Sequence, residues 1–125
     1  MNRAFILIAL TTLTCTVFAE GRYYSYWNYC EGYMYNFNFA TGIHKAYQYY
    51  KIDGKDTYIV NNIQLKKESD GVYLTGVKNQ PRIFFDTEGN PVKLELVGQS
   101  LKFVQFDLCS DKQVRKMLNG IKSNN

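Results

Sequence analysis

The sequence of 125 residues contains few of the residue types that carry catalysis or hold metal ions. It has one histidine, His44, and its serines form no Gly-x-Ser-x-Gly segment. A lone histidine needs a positioned nucleophile and an orienting group before it can act as a general base. There is also no glycine-rich phosphate loop, because the glycines are dispersed as turn residues. We therefore predict a non-catalytic protein without metal or cofactor, in which His44 is an exposed or strand-edge residue.

The carboxylates do not single out a site either. The segment Asp86–Asn90 alternates oxygen donors like half of a calcium loop, but it lacks the later glutamate at EF-hand spacing. We interpret this segment as a hairpin turn. A glycosidase would need two facing carboxylates, and nothing selects two among the 11 acidic residues. A small hydrolase is therefore the least favoured alternative.

Proline and charge are scarce as well. Two prolines and 21% charged residues argue against a disordered chain or a proline-rich linker. The length predicts one domain. No block of one charge sign occurs, and a formal net charge of +4 does not require nucleic acid as a partner. We therefore expect no nucleic-acid partner.

Residues 1–19 have the three-part pattern of a cleaved signal peptide. Met1–Arg3 is a short basic start, Ala4–Leu10 is apolar, and Val17–Ala19 offers small or modest side chains before a cleavage site. The apolar part is too short to cross about 30 Å of hydrocarbon comfortably, so no membrane span is expected after cleavage. The predicted organisation is a leader, residues 1–19, followed by one β-rich domain, residues 20–125. Localisation is expected to be periplasmic or secreted.

Removal of the leader also removes Cys15, one of three cysteines. The remaining two, Cys30 and Cys109, form an even pair in an exported chain, which predicts one disulfide. Closing a loop of about 80 residues stabilises a domain by roughly 4.5 kcal/mol in the chain-entropy model. Two buried free thiols are the alternative.

Turn signals recur along most of the chain, and the segments between them are rich in tyrosine, phenylalanine, isoleucine and valine. Alternation of apolar and charged residues is clearest in Val92–Leu96. Eight strands are predicted, near residues 22–29, 33–39, 44–52, 56–66, 71–77, 82–86, 91–97 and 100–108. Short connections imply antiparallel neighbours in a meander. The predicted fold class is all-β, mainly antiparallel, as a barrel or a two-layer sandwich.

The end of the chain changes to helical periodicity. Ser110 and Gln113 form a capping box. The apolar residues that follow fall at i, i+3, i+4 and i+7: Val114, Met117, Leu118 and Ile121. This pattern predicts a helix over about 111–121 whose apolar stripe packs on the sheet. A basic amphipathic helix that docks on a membrane or partner is the alternative.

Aromatic residues, at 16% of the chain, are the one abundant feature, and 12 of them lie between residues 23 and 50. The first predicted strand carries rings on both faces, so they cannot all be core. They can serve as cross-strand packing pairs, as an exposed recognition patch, or as the lining of a pocket for a sugar or another small molecule. The sequence leaves these three interpretations open.

The segment Ser69–Tyr73, Ser-Asp-Gly-Val-Tyr, resembles the Ser-Gly-x-x-Tyr loop of the small periplasmic inhibitors of c-type lysozyme, with an added aspartate. Those inhibitors are eight-stranded barrels with one disulfide between the first and last strands. The resemblance implies that architecture and an inhibitory role in which Ser69–Tyr73 inserts into an enzyme. The chain departs from the family at Asn28, where the family has an aromatic residue, and it has no Lys-Gly-x-x-Ala stretch.

These observations predict an exported binding protein whose tyrosine-rich strands contact a protein or glycan partner in the envelope or the medium. The alternatives are an enzyme inhibitor and a small-molecule carrier with an aromatic-lined cavity. The predicted binding residues are Tyr24, Tyr26, Trp27, Tyr33, Tyr35, Tyr47, Tyr49, Ser69 and Tyr73.

Overall fold

The computed structural model describes residues 22–76, 81–98 and 103–123. The predicted signal peptide, residues 1–19, lies outside the described residues, as do the end of the predicted strand 71–77 and the start of the predicted strand 100–108. The described chain forms nine strands and one helix: β1 (Tyr23–Tyr26), β2 (Tyr33–Asn36), β3 (His44–Ile52), β4 (Lys55–Ile63), β5 (Lys66–Ser69), β6 (Val72–Leu74), β7 (Arg82–Phe85), β8 (Pro91–Glu95), β9 (Phe103–Leu108) and α1 (Asp111–Ser123).

All nine strands join one antiparallel sheet in the order β4-β3-β2-β1-β9-β8-β7-β6-β5. The edge strands β4 and β5 therefore run in the same direction, and only Gln64 and Leu65 separate them in the chain. They are two halves of one bent segment, which is why nine strands are found where eight were predicted. The sheet is not closed, because β4 and β5 are its two edges in the described chain. The all-β, mainly antiparallel fold with one C-terminal helix is confirmed.

The sheet curls around one face, which we call the inner face. The rings of Phe37, just after β2, and Phe85 in β7 are 5.1 Å apart. In a flat sheet their strands would be separated by roughly 19 Å, since four interstrand spacings lie between them. The buried residues of this face form the inner cluster: Tyr35, Ala46, Ile83, Phe85, Leu94 and Phe106.

Helix α1 covers the opposite face of the strands β1 to β4. Met117 is buried there, and Val114, Leu118 and Ile121 pack against the same cluster, so the predicted stripe contacts the sheet. The capping box is also confirmed. The backbone amide of Gln113 donates to Ser110 Oγ at 3.2 Å, and the backbone amide of Ser110 donates to Gln113 Oε1 at 3.0 Å. The buried residues of this helix-side cluster are Tyr23, Cys30, Met34, Tyr47, Cys109 and Met117.

The predicted disulfide is confirmed. Cys30 follows β1, Cys109 follows β9, and the two Cα atoms are 5.6 Å apart in the Cys30–Cys109 bridge. Because β1 and β9 are neighbours at the middle of the sheet, the bridge ties its two halves together beneath α1. Within the described ranges, no helix has the length and apolar character needed to cross a membrane.

Candidate functional site

The structure distributes the nine predicted binding residues over separate places. The inner face carries five of them: Tyr24, Tyr26, Tyr33, Tyr35 and Tyr73. Tyr47 is only 7% exposed and lies under α1, while the half-buried Tyr49 packs beside it. Ser69 is exposed at the end of β5. Most tyrosines of these strands therefore face the interior or the helix, and among the described residues they do not form one exposed patch, which is one of the three interpretations that the sequence left open.

Trp27 and Tyr29 are the exposed exception, at the turn between β1 and β2. Trp27 is 60% exposed, and it and Asn28 both have φ near 56°. A bulky residue in the left-handed region is strained, and the turn is held by the disulfide at Cys30. The Tyr29 ring lies over Gly32, where a Cβ atom would overlap it. This turn is aromatic, and neither Trp27 nor Tyr29 lines any of the four clefts described for the protein.

Three loops meet at the opposite end of the sheet and enclose two adjacent clefts, of about 680 and 630 Å³. They are the β2–β3 loop, the β5–β6 turn and the β7–β8 turn. Both clefts are lined by Phe39, Glu88 and Gly89. We call the two clefts together the loop-end groove; it is lined by Arg22, Tyr24, Asn36–Thr41, Asp70, Gly71, Tyr73 and Phe85–Pro91.

The β7–β8 turn is built around Asp86, as the hairpin interpretation of Asp86–Asn90 predicted. Asp86 Oδ1 accepts hydrogen bonds from the amides of Glu88 and Asn90, both at 2.9 Å. These bonds, with that from Asn90 the largest cause, hold the pKa of Asp86 below its ordinary value. Tyr24 Oη donates to Asn90 Oδ1 at 3.1 Å, which ties this turn to β1. Asp86 is thus an ionised structural residue at the groove.

The β2–β3 loop depends on Asn38 and His44. Asn38 Oδ1 accepts from the amides of Ala40 and Thr41 at 3.1 and 3.2 Å. The backbone amide of Asn38 in turn donates to His44 Nδ1 at 3.2 Å. His44 begins β3, at the strand start predicted for it, but it is only 6% exposed, so the exposed alternative for this residue was wrong. The reason is that its ring packs on Phe39, with centroids 4.9 Å apart, and this burial lowers the pKa of His44.

Phe39, Tyr73 and Phe85 form an aromatic floor for the groove. Phe39 meets Phe85 edge to face with centroids 5.0 Å apart, and Tyr73 meets Phe85 in the same way at 5.4 Å. Phe39 and Tyr73 are 5.2 Å apart. Phe39 remains 40% exposed, so part of this residue is accessible from the groove. Carboxylates of Asp70, Asp86 and Glu88 and amides of Asn38 and Asn90 surround it.

Tyr24 and Tyr73 are predicted binding residues that lie in this groove, whereas Phe39 is not among the predicted residues. The predicted strand 33–39 includes Phe39, but β2 ends at Asn36. The nearby Thr41–Gly42 turn signal was the available indication that this ring belongs to a loop. In the described part of the chain, no group of three histidine, cysteine or acidic side chains is arranged to hold a metal ion.

Three of the predicted tyrosines meet elsewhere, on the inner face. Tyr33 and Tyr35 have ring centroids 5.0 Å apart, and each is 6.0 Å from Tyr26. Burial first, and then the neighbouring phenols, raise the pKa of Tyr35 far above its ordinary value. Its hydroxyl is therefore neutral at physiological pH.

Compared with known proteins, the chain matches no protein family, no curated protein and no solved structure.

Proposed function

We propose that this chain is an exported, non-catalytic binding protein whose partner is a glycan, held in the loop-end groove. The observation that carries the proposal is the aromatic floor of the groove, in which the exposed Phe39 packs on the half-buried Tyr73 and the buried Phe85, between clefts lined by carboxylate and amide residues. The two clefts are contiguous along Phe39, which suits several linked sugar units better than one small molecule.

The chemistry of the groove complements that of a sugar chain. A sugar ring has an apolar face of C–H groups and an edge of hydroxyls. Aromatic rings supply rigid apolar area for the face. Carboxylate and amide groups accept or donate hydrogen bonds at the edge. Among the described residues, no hydrogen bond or ion pair holds the Glu88 carboxylate in the turn, so it is available to a ligand, and Phe39 is 40% exposed.

Among the acidic residues that line the groove, Asp86 is not suited to be the general acid of a glycosidase. A glycosidase needs a general acid whose pKa is raised by its surroundings. The hydrogen bonds of the β7–β8 turn act in the opposite direction on Asp86. The disulfide supports export to an oxidising compartment, the periplasm or the medium.

The segment Ser69–Tyr73, considered as an inhibitory loop, contributes Asp70, Gly71 and Tyr73 to the same groove. Gly71 has φ 74°, and its carbonyl accepts from the Phe85 amide at 2.7 Å. A Cβ atom there would lie 2.8 Å from the Phe85 carbonyl oxygen. The turn is therefore held against β7 as a wall of the groove, which favours a groove that receives a ligand.

The proposal is tested by applying the purified, disulfide-bonded protein to an array of bacterial and host glycans. Phe39→Ala should weaken binding to the retained glycan by about tenfold or more, as expected for a central aromatic contact. Glu88→Gln should weaken it severalfold, and it leaves the fold intact because that side chain supports nothing in the turn.

Trp27→Ala is the matched control, because it removes another exposed ring at the opposite end of the sheet. Its affinity should stay within about twofold of the original protein. Loss of binding in Trp27→Ala with full binding in Phe39→Ala and Glu88→Gln would move the site to the β1–β2 turn. Retention of no glycan at millimolar concentrations would overturn the proposal.

A further inference from the structure

We infer that His44 is a positioning residue of the loop-end groove, whose neutral ring holds Phe39 where a glycan can contact it and whose protonation releases Phe39. This inference rests on the proposed function and adds the regulation of that site, because it makes ligand affinity fall in acid. His44 is not among the residues that line the groove. It therefore acts through Phe39, without touching the ligand.

The β2–β3 loop is organised around Asn38, whose backbone and side chain make four hydrogen bonds. Its Oδ1 accepts from the amides of Ala40 and Thr41 at 3.1 and 3.2 Å, and its carbonyl oxygen accepts from the Gly42 amide at 2.9 Å. Its own backbone amide donates to His44 Nδ1 at 3.2 Å. The first three bonds lie within the loop, and the fourth ties the loop to the first residue of β3. Loss of the fourth bond would therefore free the residue that directly precedes Phe39.

The His44 ring also supports the Phe39 ring directly. The two centroids are 4.9 Å apart, and the rings meet edge to face at 61°. The same Phe39 ring meets Phe85 at 5.0 Å and Tyr73 at 5.2 Å. Phe39 thus joins His44 to the rest of the aromatic floor. Because such ring contacts depend on distance and angle, a displaced His44 would disturb the floor itself.

This arrangement requires a neutral His44 ring. The group that donates to Nδ1 is a backbone N–H, so Nδ1 must present its lone pair, and the ring proton lies on Nε2. Protonation would place an N–H group at Nδ1, opposite the N–H group of Asn38, and both donors would lose their partner. The rings of Phe37 and Phe39, which pack on His44, offer no acceptor to the added proton.

In the described part of the chain, His44 has no charged partner that would retain its proton. The β2–β3 loop, residues 37–43, contains no titratable residue. Ile63 faces His44 from β4, and Lys45 lies on the other face of β3. Burial, with no contribution from a neighbouring charge, lowers the pKa of His44. The titratable residues of the groove are the groups for which a test must control: Arg22, Tyr24, Asp70, Tyr73, Asp86 and Glu88.

The test follows glycan affinity and the titration of His44 in the same disulfide-bonded protein. NMR of the imidazole protons gives the pKa of His44 without ligand. The Kd of the glycan retained on the array is then measured from pH 7 down to one unit below that pKa. If only the neutral form binds, the Kd should rise about tenfold at the lowest pH. Saturating glycan should in return lower the pKa of His44, because linkage between two binding events is reciprocal.

His44→Asn is the matched variant, because it keeps an acceptor close to the position of Nδ1 but does not titrate. It also keeps every carboxylate of the groove. Its Kd at pH 7 should stay within about threefold of the original value, and the tenfold rise in acid should disappear. A merely structural role of the ring would not remove the pH profile while affinity is retained. If the variant loses affinity in acid as the original protein does, the inference is wrong.

A measurement on the protein without ligand separates this inference from the proposed function. Nuclear Overhauser contacts between the rings of Phe39 and Phe85 should weaken as His44 takes up its proton. Weakened contacts, with no glycan retained on the array, would overturn the proposed function and still support the positioning role of His44. Contacts that stay unchanged through the titration of His44 would overturn the inference, even if a glycan binds in the groove.

Discussion

At the scale of single residues, the buried hydroxyl of Thr75 is expected to cost stability. Its Oγ1 has lost water without gaining a partner among the described residues. An unsatisfied buried polar group costs about 1–3 kcal/mol, and valine has nearly the same shape. Thr75→Val should therefore raise the free energy of unfolding by about 1–2 kcal/mol, measured by urea denaturation.

Ser25→Ala provides an independent comparison. Ser25 is fully buried, its Oγ also has no partner among the described residues, and it lines none of the clefts described above. The same reasoning predicts a gain in stability for this variant. A decrease in stability for Thr75→Val would show that its hydroxyl has a structural partner.

The only histidine of the sequence makes the pH dependence of stability interpretable. Burial lowers the pKa of His44 in the folded chain below its ordinary value of 6.5. The unfolded chain therefore takes up the proton first as the pH falls. The stability linked to neutral His44 is fully present above pH 6.5 and is lost as the pH falls from there toward the folded-state pKa. Each unit of difference between the two pKa values corresponds to about 1.4 kcal/mol.

Chemical denaturation at pH 7.0 and pH 5.5 measures this loss. Other side-chain groups change charge little in that interval, so His44→Gln should show a clearly smaller difference between the two pH values. A proton on Nδ1 would also prevent His44 from accepting from the Asn38 backbone amide, so the protection factors of the amides in residues 38–43, which correct for the slower intrinsic exchange at low pH, should fall at pH 5.5. Equal pH dependence in both proteins would contradict the role assigned to His44.

At the scale of elements, the contact between α1 and β4 should make alanine less favourable than glycine at position 120, although alanine is usually the better helix former. Replacing a helical glycine with alanine usually stabilises by up to about 1 kcal/mol. At Gly120, however, a Cβ atom would overlap ring atoms of Tyr58. Tyr58 packs against the helix-side cluster and against Tyr49, so moving its ring aside would disrupt these contacts. Gly120→Ala should lower the free energy of unfolding by about 1–3 kcal/mol, measured by thermal and urea denaturation.

Asn119→Ala, at the neighbouring exposed position of α1, is the control. It should be neutral or slightly stabilising, because alanine favours helix and nothing packs there. A stabilising Gly120→Ala would mean that the Tyr58 ring can move away at little cost and that the contact does not fix the helix.

The elements themselves were largely predictable from local pattern. Alternation placed the strands, and the capping box at Ser110 placed the start of α1. The bend between β4 and β5 was not predictable, because alternation continues across it. Ile63 and Leu65 both pack against the inner cluster, while Gln64 between them is exposed. Because the side chains on both sides of the bend keep alternating between the same two faces of the sheet, the hydrophobic pattern does not reveal the bend.

The candidate sites were less predictable, because they depend on long-range neighbours. Alternation shows that Tyr23 and Tyr24 face opposite sides of β1, but not which side the helix covers. The loop-end groove joins Tyr24, Phe39, Tyr73 and Glu88 from four separate parts of the chain. No local spacing relates them, so only the pairing of the strands brings them together.

At the scale of the whole molecule, the Cys30–Cys109 bridge joins the two halves of the sheet at its centre. It spans 79 residues of sequence, and a loop of that length implies about 4.5 kcal/mol of stabilisation in the chain-entropy model. A total of 5–15 kcal/mol is usual for a small domain, so the reduced protein should be close to unfolding at 37 °C. Because oxidised and reduced protein share one sequence, urea denaturation with and without reductant isolates the bridge from packing. Both cysteines also belong to the helix-side cluster, so α1 should show the earliest loss of amide protection after reduction. Identical denaturation midpoints in the two conditions would show that the sheet and helix hold together without the bridge.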